Sequence, residues 1–90
     1  MEFELDPAKS QSNQTKHGID FNQARVLWDD PDRVLFVARF QDDDRHGIIA
    51  RDRSALWCAI FTHRQQKIRI ISVRRARAYE TEIYNQGSGF

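Results

Sequence analysis

Four strand-length segments follow one another after residue 33, and short turns separate them. This succession constrains the fold more than any other feature of the sequence. The predicted strands are Val34 to Phe40, His46 to Arg51, Leu56 to His63 and Lys67 to Val73. Because short turns join antiparallel neighbours, the segments predict a small antiparallel sheet. Apolar residues occur on both faces of the third and fourth strands, so we expect helices to cover part of the second face.

Two helices are predicted before the sheet. Asp6 and Pro7 suit the start of the first helix, and Gly18 suits its end. Asp20 and Gln23 form a capping-box pattern at the start of the second helix, which ends at the sequence DDPD. Its apolar face comprises Phe21, Ala24, Leu27 and Trp28. Residues 1–5 alternate between acidic and apolar side chains, which indicates a short strand or an extended arm.

A third helix is predicted to begin at Arg74 and to end at Gly87, with Tyr79 on its buried face. The fold class is therefore α+β: two N-terminal helices, an antiparallel sheet of about four strands and a C-terminal helix. A length of 90 residues suits one domain, which we assign to residues 1–86. Residues 87–90 are predicted to form a flexible tail.

Charge is distributed unevenly along the chain. Residues 1–32 carry a net charge of −4, whereas residues 33–90 carry +5. Such asymmetry favours a polyanion-binding surface or an acidic partner. Cys58 is the only cysteine, which excludes an intrachain disulfide, and neither a signal peptide nor an apolar membrane span is present. We therefore expect a cytoplasmic protein that does not contact membranes.

The most basic part of the chain is the sequence KIRIISVRRAR at residues 67–77. Alternation along the strand makes Ile68 and Ile70 the predicted core pair and places Arg69 on the opposite face, together with Val73. Guanidinium groups hold phosphates bidentately and stabilise the charge of a phosphoryl transition state. A solvated strand edge is the alternative explanation, because basic residues also prevent edge pairing.

The three histidines are candidate proton carriers, because cleavage of RNA by its 2′-hydroxyl group requires proton transfer near neutral pH. His17 lies at a predicted helix end, His46 begins a strand, and His63 ends a strand beside Arg64. The sequence contains no Cys/His metal pattern, no glycine-rich phosphate loop and no nucleophile elbow. It therefore predicts neither a metal site nor a cofactor.

Several segments in order resemble one family, the BrnT toxins of bacterial type II toxin–antitoxin systems. They are FELDPAK near the start, KHGIDF, a helix ending in DDP, and IRIISVRRAR before a last helix with Glu80 and Tyr84. The resemblance extends from about Met1 to Tyr84. It implies a RelE-like fold and a ribonuclease that cleaves RNA and blocks translation without a metal ion. It also implies a BrnA-type antitoxin with a ribbon-helix-helix part, through which the complex binds operator DNA and represses its own operon.

The resemblance and the basic cluster together give the predicted site. The predicted catalytic residues are His17, His63, Arg64, Arg74 and Arg75. The predicted RNA-binding residues are Lys16, Lys67, Arg69 and Arg77. The proton carrier is either His17 or His63, and Glu80, which we interpret as a surface residue of the last helix, is the other proton acceptor nearby. A non-catalytic module that binds RNA or the antitoxin and acts only as a co-repressor is the alternative function.

Overall fold

A computed structural model of the chain describes residues 1–38 and 44–87, and its architecture is α+β. The helices are α1 (Pro7–His17), α2 (Phe21–Ala24) and α3 (Ala78–Asn85), and a 3₁₀ helix (Arg25–Asp29) continues α2. The strands are β1 (Phe3–Glu4), β2 (Val34–Val37), β3 (His46–Asp52), β4 (Ala55–Arg64) and β5 (Lys67–Arg75).

The predicted antiparallel sheet is confirmed in part. Its four strands are present, but the sheet also contains a fifth strand. The strand order is β1-β5-β4-β3-β2, and β2 to β5 pair antiparallel as predicted. β1 pairs parallel to β5, with Phe3 beside Ile68 and Glu4 beside Arg69, so the sheet is mixed rather than antiparallel. The alternating N-terminal arm thus contributes main-chain hydrogen bonds to the sheet edge.

The predicted start and end of α1 and the predicted start of α2 are confirmed. The Asp6 carboxylate accepts hydrogen bonds from the N–H groups of Ala8 and Lys9, and Gly18 ends α1 with a φ of 80°. The capping box of α2 is present, since Asp20 accepts from the Gln23 N–H at 2.7 Å. Only four residues of this segment are α-helical before the 3₁₀ helix begins.

Other predicted boundaries and burials were wrong. β2 ends at Val37, so its predicted extension to Ala38 is wrong, whereas residues 39 and 40 of the predicted strand and the predicted tail residues 88–90 lie outside the described residues. β5 continues to Arg75, and α3 begins at Ala78 instead of Arg74. Tyr79 is 56% exposed and therefore does not line the buried face of α3.

Helices cover both faces of the sheet, as predicted. α1, α2 and the 3₁₀ helix pack on one face, which we call the N-helix face; its core includes Phe21, Leu27, Ile48 and Ile70. α3 packs on the opposite face, the α3 face, through Ile83 and Tyr84 against a smaller buried cluster that includes Cys58. Cys58 is thus a core residue.

A β-bulge in the β4–β5 hairpin decides which side chains reach each face. Ile70 pairs with Phe61 and Ser72 with Ile60, so Ile71 is an extra residue on β5. Ile68 and Ile70 lie in the N-helix core, as predicted, but Val73 is buried with them rather than beside Arg69. The insertion therefore shifts the alternation by one residue and directs Arg74 and Arg75 to faces that simple alternation would not predict.

Candidate functional site

The structure separates the predicted site residues into two groups at opposite ends of the β4–β5 hairpin. His63 and Arg64 lie at the turn, whereas Arg74 and Arg75 pair with Cys58 and Trp57 at the far end. At about 3.4 Å per strand residue, the six positions from Trp57 to His63 span about 20 Å. One scissile phosphate therefore cannot contact both groups.

The first group lies at the turn and will be called the turn-end group. It comprises Glu4, His46, His63, Arg64, Lys67 and Arg69. Glu4 neutralises part of its charge, since one carboxylate oxygen lies 3.6 Å from Arg64 and 3.2 Å from Arg69. Both guanidinium groups share this single carboxylate, which competes with any phosphate for them.

Two of the histidines meet in the turn-end group. The rings of His46 and His63 are 5.1 Å apart, and both contact the ring of Phe61. Both imidazoles lie on the N-helix face. His46 pairs with Phe61 and His63 pairs with Ile68, and Phe61 and Ile68 both belong to the N-helix core. Arg64 and Arg69 project from the α3 face instead, so the sheet separates the two imidazoles from these two arginines.

At the far end, Arg74 and Arg75 lie on opposite faces, as neighbours in a strand do, and the bulge decides which face each takes. Arg74 lies on the α3 face and binds the Glu80 carboxylate bidentately, at 2.7 and 3.0 Å. The side chain of Glu80 is only 2% exposed, so its predicted position on the surface was wrong. This ion pair was not predicted, although an arginine and a glutamate six residues apart across a strand–helix corner were a signal for it.

Glu80 is held as an anion. Burial alone would raise the pKa of Glu80, but hydrogen bonds from the Arg74 side chain and the Arg77 N–H outweigh burial and lower it to about 2. The Arg77 N–H donates to Oε1 of Glu80 at 2.8 Å, and this is the oxygen that Arg74 contacts at 2.7 Å. The carboxylate therefore joins the end of β5 to the start of α3, where Arg77 itself is exposed.

Arg75 is directed to the N-helix face. Its guanidinium lies 5.3 Å from the centre of the Trp57 ring, and the residue is exposed. Within residues 1–38 and 44–87, no carboxylate lies within ion-pair distance of Arg75. Its charge is therefore available to an external anion, in contrast to the charges of Arg64, Arg69 and Arg74.

α1 brings Lys16 and His17 towards the end of β5 that carries Arg75. The buried side chain of Asn13 donates to the carbonyl of Val73 at 2.9 Å and accepts from its N–H at 3.1 Å. α1 and β5 run in the same direction. Lys9 precedes Asn13 in α1 and Ile71 precedes Val73 in β5, and these two earlier residues also lie together, since both line one pocket. His17 is one helical turn past Asn13, about 6 Å, and Arg75 is about 7 Å past Val73.

A groove opens beside this end of the sheet on the N-helix face, and we call it the Trp57 groove. It has a volume of about 370 Å³. Its walls come from the end of α1, from α2 and the 3₁₀ helix, and from the β3–β4 turn. The lining residues are Gly18, Ile19, Gln23, Val26, Asp52, Arg53, Ser54, Ala55 and Trp57. This groove was not predicted, because three segments that are separate in the sequence form it.

The arrangement offers cations and imidazoles for RNA chemistry. In the part of the chain that the structure describes, no group of three or more His, Cys, Asp or Glu side chains is placed to hold a metal ion. Over the same part, no helix is long and apolar enough to cross a membrane.

One protein-family model matches the chain. Its description is "Ribonuclease toxin, BrnT, of type II toxin-antitoxin system", and it matches residues 5–80. The matched range contains every predicted site residue, whereas Glu4 of the turn-end group precedes it. No curated protein matches the chain.

Proposed function

The chain belongs to the BrnT family of ribonuclease toxins of type II toxin–antitoxin systems, and from this premise we propose that it is an endoribonuclease that stops translation by cutting RNA without a metal ion. A BrnA-type antitoxin with a ribbon-helix-helix part neutralises it in the cytoplasm. The complex represses its own operon, and operator DNA is bound only through the antitoxin. The matched family supports the toxin, the RNA target and the need for an antitoxin.

We place the reaction at the far end of the hairpin, with Arg75 on the scissile phosphate and His17 as the proton carrier. The observation that carries this choice is the exposed guanidinium of Arg75 at the end of β5 that α1 approaches, which forms no ion pair with a carboxylate of residues 1–38 and 44–87. Arg64 and Arg69 are less suited, because both lie close to Glu4. Arg74 acts as a positioning residue through Glu80 rather than as a phosphate ligand.

The cleavage step needs only proton transfer and charge stabilisation. A base removes the proton of the 2′-hydroxyl, O2′ forms a bond to phosphorus, and the bond from phosphorus to O5′ breaks. The departing O5′ takes up a proton, which leaves a 2′,3′-cyclic phosphate and a 5′-hydroxyl end. His17 moves a proton in this step, and the Arg75 guanidinium stabilises the extra charge on the phosphoryl oxygens.

Purified protein without antitoxin tests this proposal. We expect it to cut RNA in EDTA, to leave DNA of the same sequence intact and to release 2′,3′-cyclic phosphate ends. His17→Asn should lower the rate constant about 100-fold or more, the usual contribution of a general acid or base. Arg75→Gln should also cause a large loss, whereas Arg33→Gln is a matched control at an exposed arginine away from the site.

His63→Asn distinguishes the two ends of the hairpin. If His63→Asn abolishes cleavage and His17→Asn does not, the reaction occurs at the turn-end group and our assignment is wrong. RNA that stays intact with every preparation of the wild-type protein would refute the ribonuclease function itself.

A non-catalytic module that binds its antitoxin and acts as co-repressor is the second candidate. The edge strand β2 favours it, because Leu35 and Val37 on this strand are 51% and 65% exposed. An exposed apolar edge strand is a template for a strand from a partner chain. Hydrogen exchange of β2 with and without antitoxin tests this contact, and RNA cleavage in EDTA by the free protein would exclude a purely structural role.

A further inference from the structure

We propose that the Trp57 groove binds the base next to the scissile bond and that Asp52 selects guanine there. The inference rests on the proposed ribonuclease function and adds a base-recognition site to it. The groove shares the Trp57 side chain with Arg75 and shares α1 with His17, since Gly18 follows His17 directly. A base in the groove would therefore leave its phosphate beside the proposed reacting groups.

The size and the walls of the groove suit a single base. Its volume of about 370 Å³ is near the lower end of the range for small-ligand sites, about 300–1,000 Å³. Trp57 and Val26 provide apolar walls, and Val26 is 43% exposed although it is a large apolar residue. Proteins that read single-stranded RNA place unstacked bases against such aromatic side chains and bind their edges by hydrogen bonds.

The charge of the surroundings matches a nucleotide rather than an apolar ligand. Arg53 lines the groove, and the Arg75 guanidinium covers the Trp57 ring. Lys16 and His17 precede the lining residue Gly18 and are exposed. These cations would hold the phosphates on either side of a base whose ring enters the groove.

Two polar side chains of the groove decide which base fits. The Gln23 carbonyl oxygen already accepts the Asp20 N–H at 3.0 Å, so the side-chain NH₂ of Gln23 is left as a donor. Asp52, which is half-buried, provides a carboxylate acceptor in the same lining. Guanine alone among the four RNA bases presents two adjacent N–H donors beside a carbonyl acceptor on its Watson–Crick edge. This pattern pairs with one carboxylate and one amide donor.

Nuclear magnetic resonance on the full-length protein tests the binding step without requiring cleavage. The chain has two tryptophans, so their indole N–H signals can be assigned with a Trp57→Phe variant. We expect the Trp57 signal to shift on titration with 3′-GMP and to shift less with 3′-AMP, 3′-CMP or 3′-UMP. Trp28 is buried in the N-helix core and serves as the internal reference.

Cleavage of short RNAs that differ in one base tests the selection. Asp52→Asn should lower kcat/KM for the guanine substrate about tenfold or more, which is the discrimination expected from one bidentate contact to a base. It should change the values for the other three bases little. Glu82→Gln, an exposed carboxylate on α3, is the matched control and should leave all four values unchanged.

The outcomes separate this inference from the ribonuclease function. Wild-type cleavage without base preference, or Asp52→Asn with an unchanged preference, would overturn the guanine site while the ribonuclease function stands. A Trp57 signal that no mononucleotide shifts would overturn the groove as a base site. Selective 3′-GMP binding by a protein that cuts no RNA would support the groove and refute the proposed function.

Discussion

The buried ion pair between Arg74 and Glu80 makes the stability of the fold depend on pH. The hydrogen bonds on Glu80 outweigh its burial and lower its pKa from an ordinary 4.5 to about 2. Because one pKa unit corresponds to about 1.36 kcal/mol, the ionised carboxylate contributes about 3 kcal/mol to the free energy of unfolding at neutral pH. This is a large fraction of the roughly 5–15 kcal/mol that stabilises an ordinary domain.

The sign of the pH dependence follows from the direction of the pKa shift. The pKa of Glu80 is lower in the folded protein than in the unfolded chain, so the contribution is fully present above about pH 4.5. It is lost as the pH falls towards about 2, and at pH 3 about 1.4 kcal/mol should remain.

Urea unfolding of wild type and Glu80→Gln measures this contribution. At pH 7 we expect the variant to be less stable by about 3 kcal/mol, which lowers the midpoint by about 2 M for an m value of about 1.5 kcal/mol/M. The difference should shrink to about half or less at pH 3, where wild-type Glu80 is partly protonated. Glu82→Gln on the exposed side of α3 controls for the loss of a negative charge. Equal midpoints at pH 7, or a difference that stays constant between pH 7 and pH 3, would refute the reasoning.

Three further predictions concern buried positions. Gly47→Ala would place a methyl group in steric overlap with the outer edge of the Phe36 ring, so we expect a loss of about 1–3 kcal/mol in urea unfolding, and an unchanged midpoint would contradict this packing. Asn13→Ala leaves the N–H and C=O of Val73 without their side-chain partner. The free energy of unfolding should fall by about 2–3 kcal/mol, and the Val73 amide should exchange its hydrogen faster. Unaltered protection of this amide would exclude the contact. Burial raises the pKa of the Cys58 thiol to about 12, so iodoacetamide at pH 8 should label it only after unfolding, and rapid labelling of the native protein would show that it is accessible.

The strands and the first helix caps were predictable because their signals are local. Asp6, Gly18 and the Asp20–Gln23 pair act on neighbouring backbone groups, and the structure places each of them as the sequence indicates. Such features depend on a few consecutive residues and on nothing distant in the chain.

The errors occur where a residue's environment depends on distant segments. The alternation of residues 1–5 indicates a short strand, but its pairing with β5 was not predictable from local sequence, because the paired residues lie 65 positions apart in the chain. Glu80 looks like a surface residue in its helix, because the Arg74 guanidinium that compensates its burial comes from a strand. Tyr79 is exposed and Glu80 is buried, which is the reverse of what the helical pattern predicts.

The bulge at Ile71 also limited prediction of the site. Alternation from Ile68 onward would put Val73 and Arg75 on the face of Arg69, yet one unpaired residue reverses this order, so that Val73 enters the N-helix core and Arg75 follows it to the same face. Arg74, which alternation would have left on the N-helix face, turns instead to Glu80 and is neutralised there. Adjacent strand residues lie on opposite faces, and the inserted residue decides which arginine takes which face. Arg74 joins the positioning ion pair, and Arg75 becomes the exposed guanidinium beside the Trp57 groove. The basic stretch that dominates the sequence therefore contributes Arg75 as an exposed cation beside the Trp57 groove, and the base-binding and phosphate-binding steps that we propose both depend on the face to which the bulge directs it.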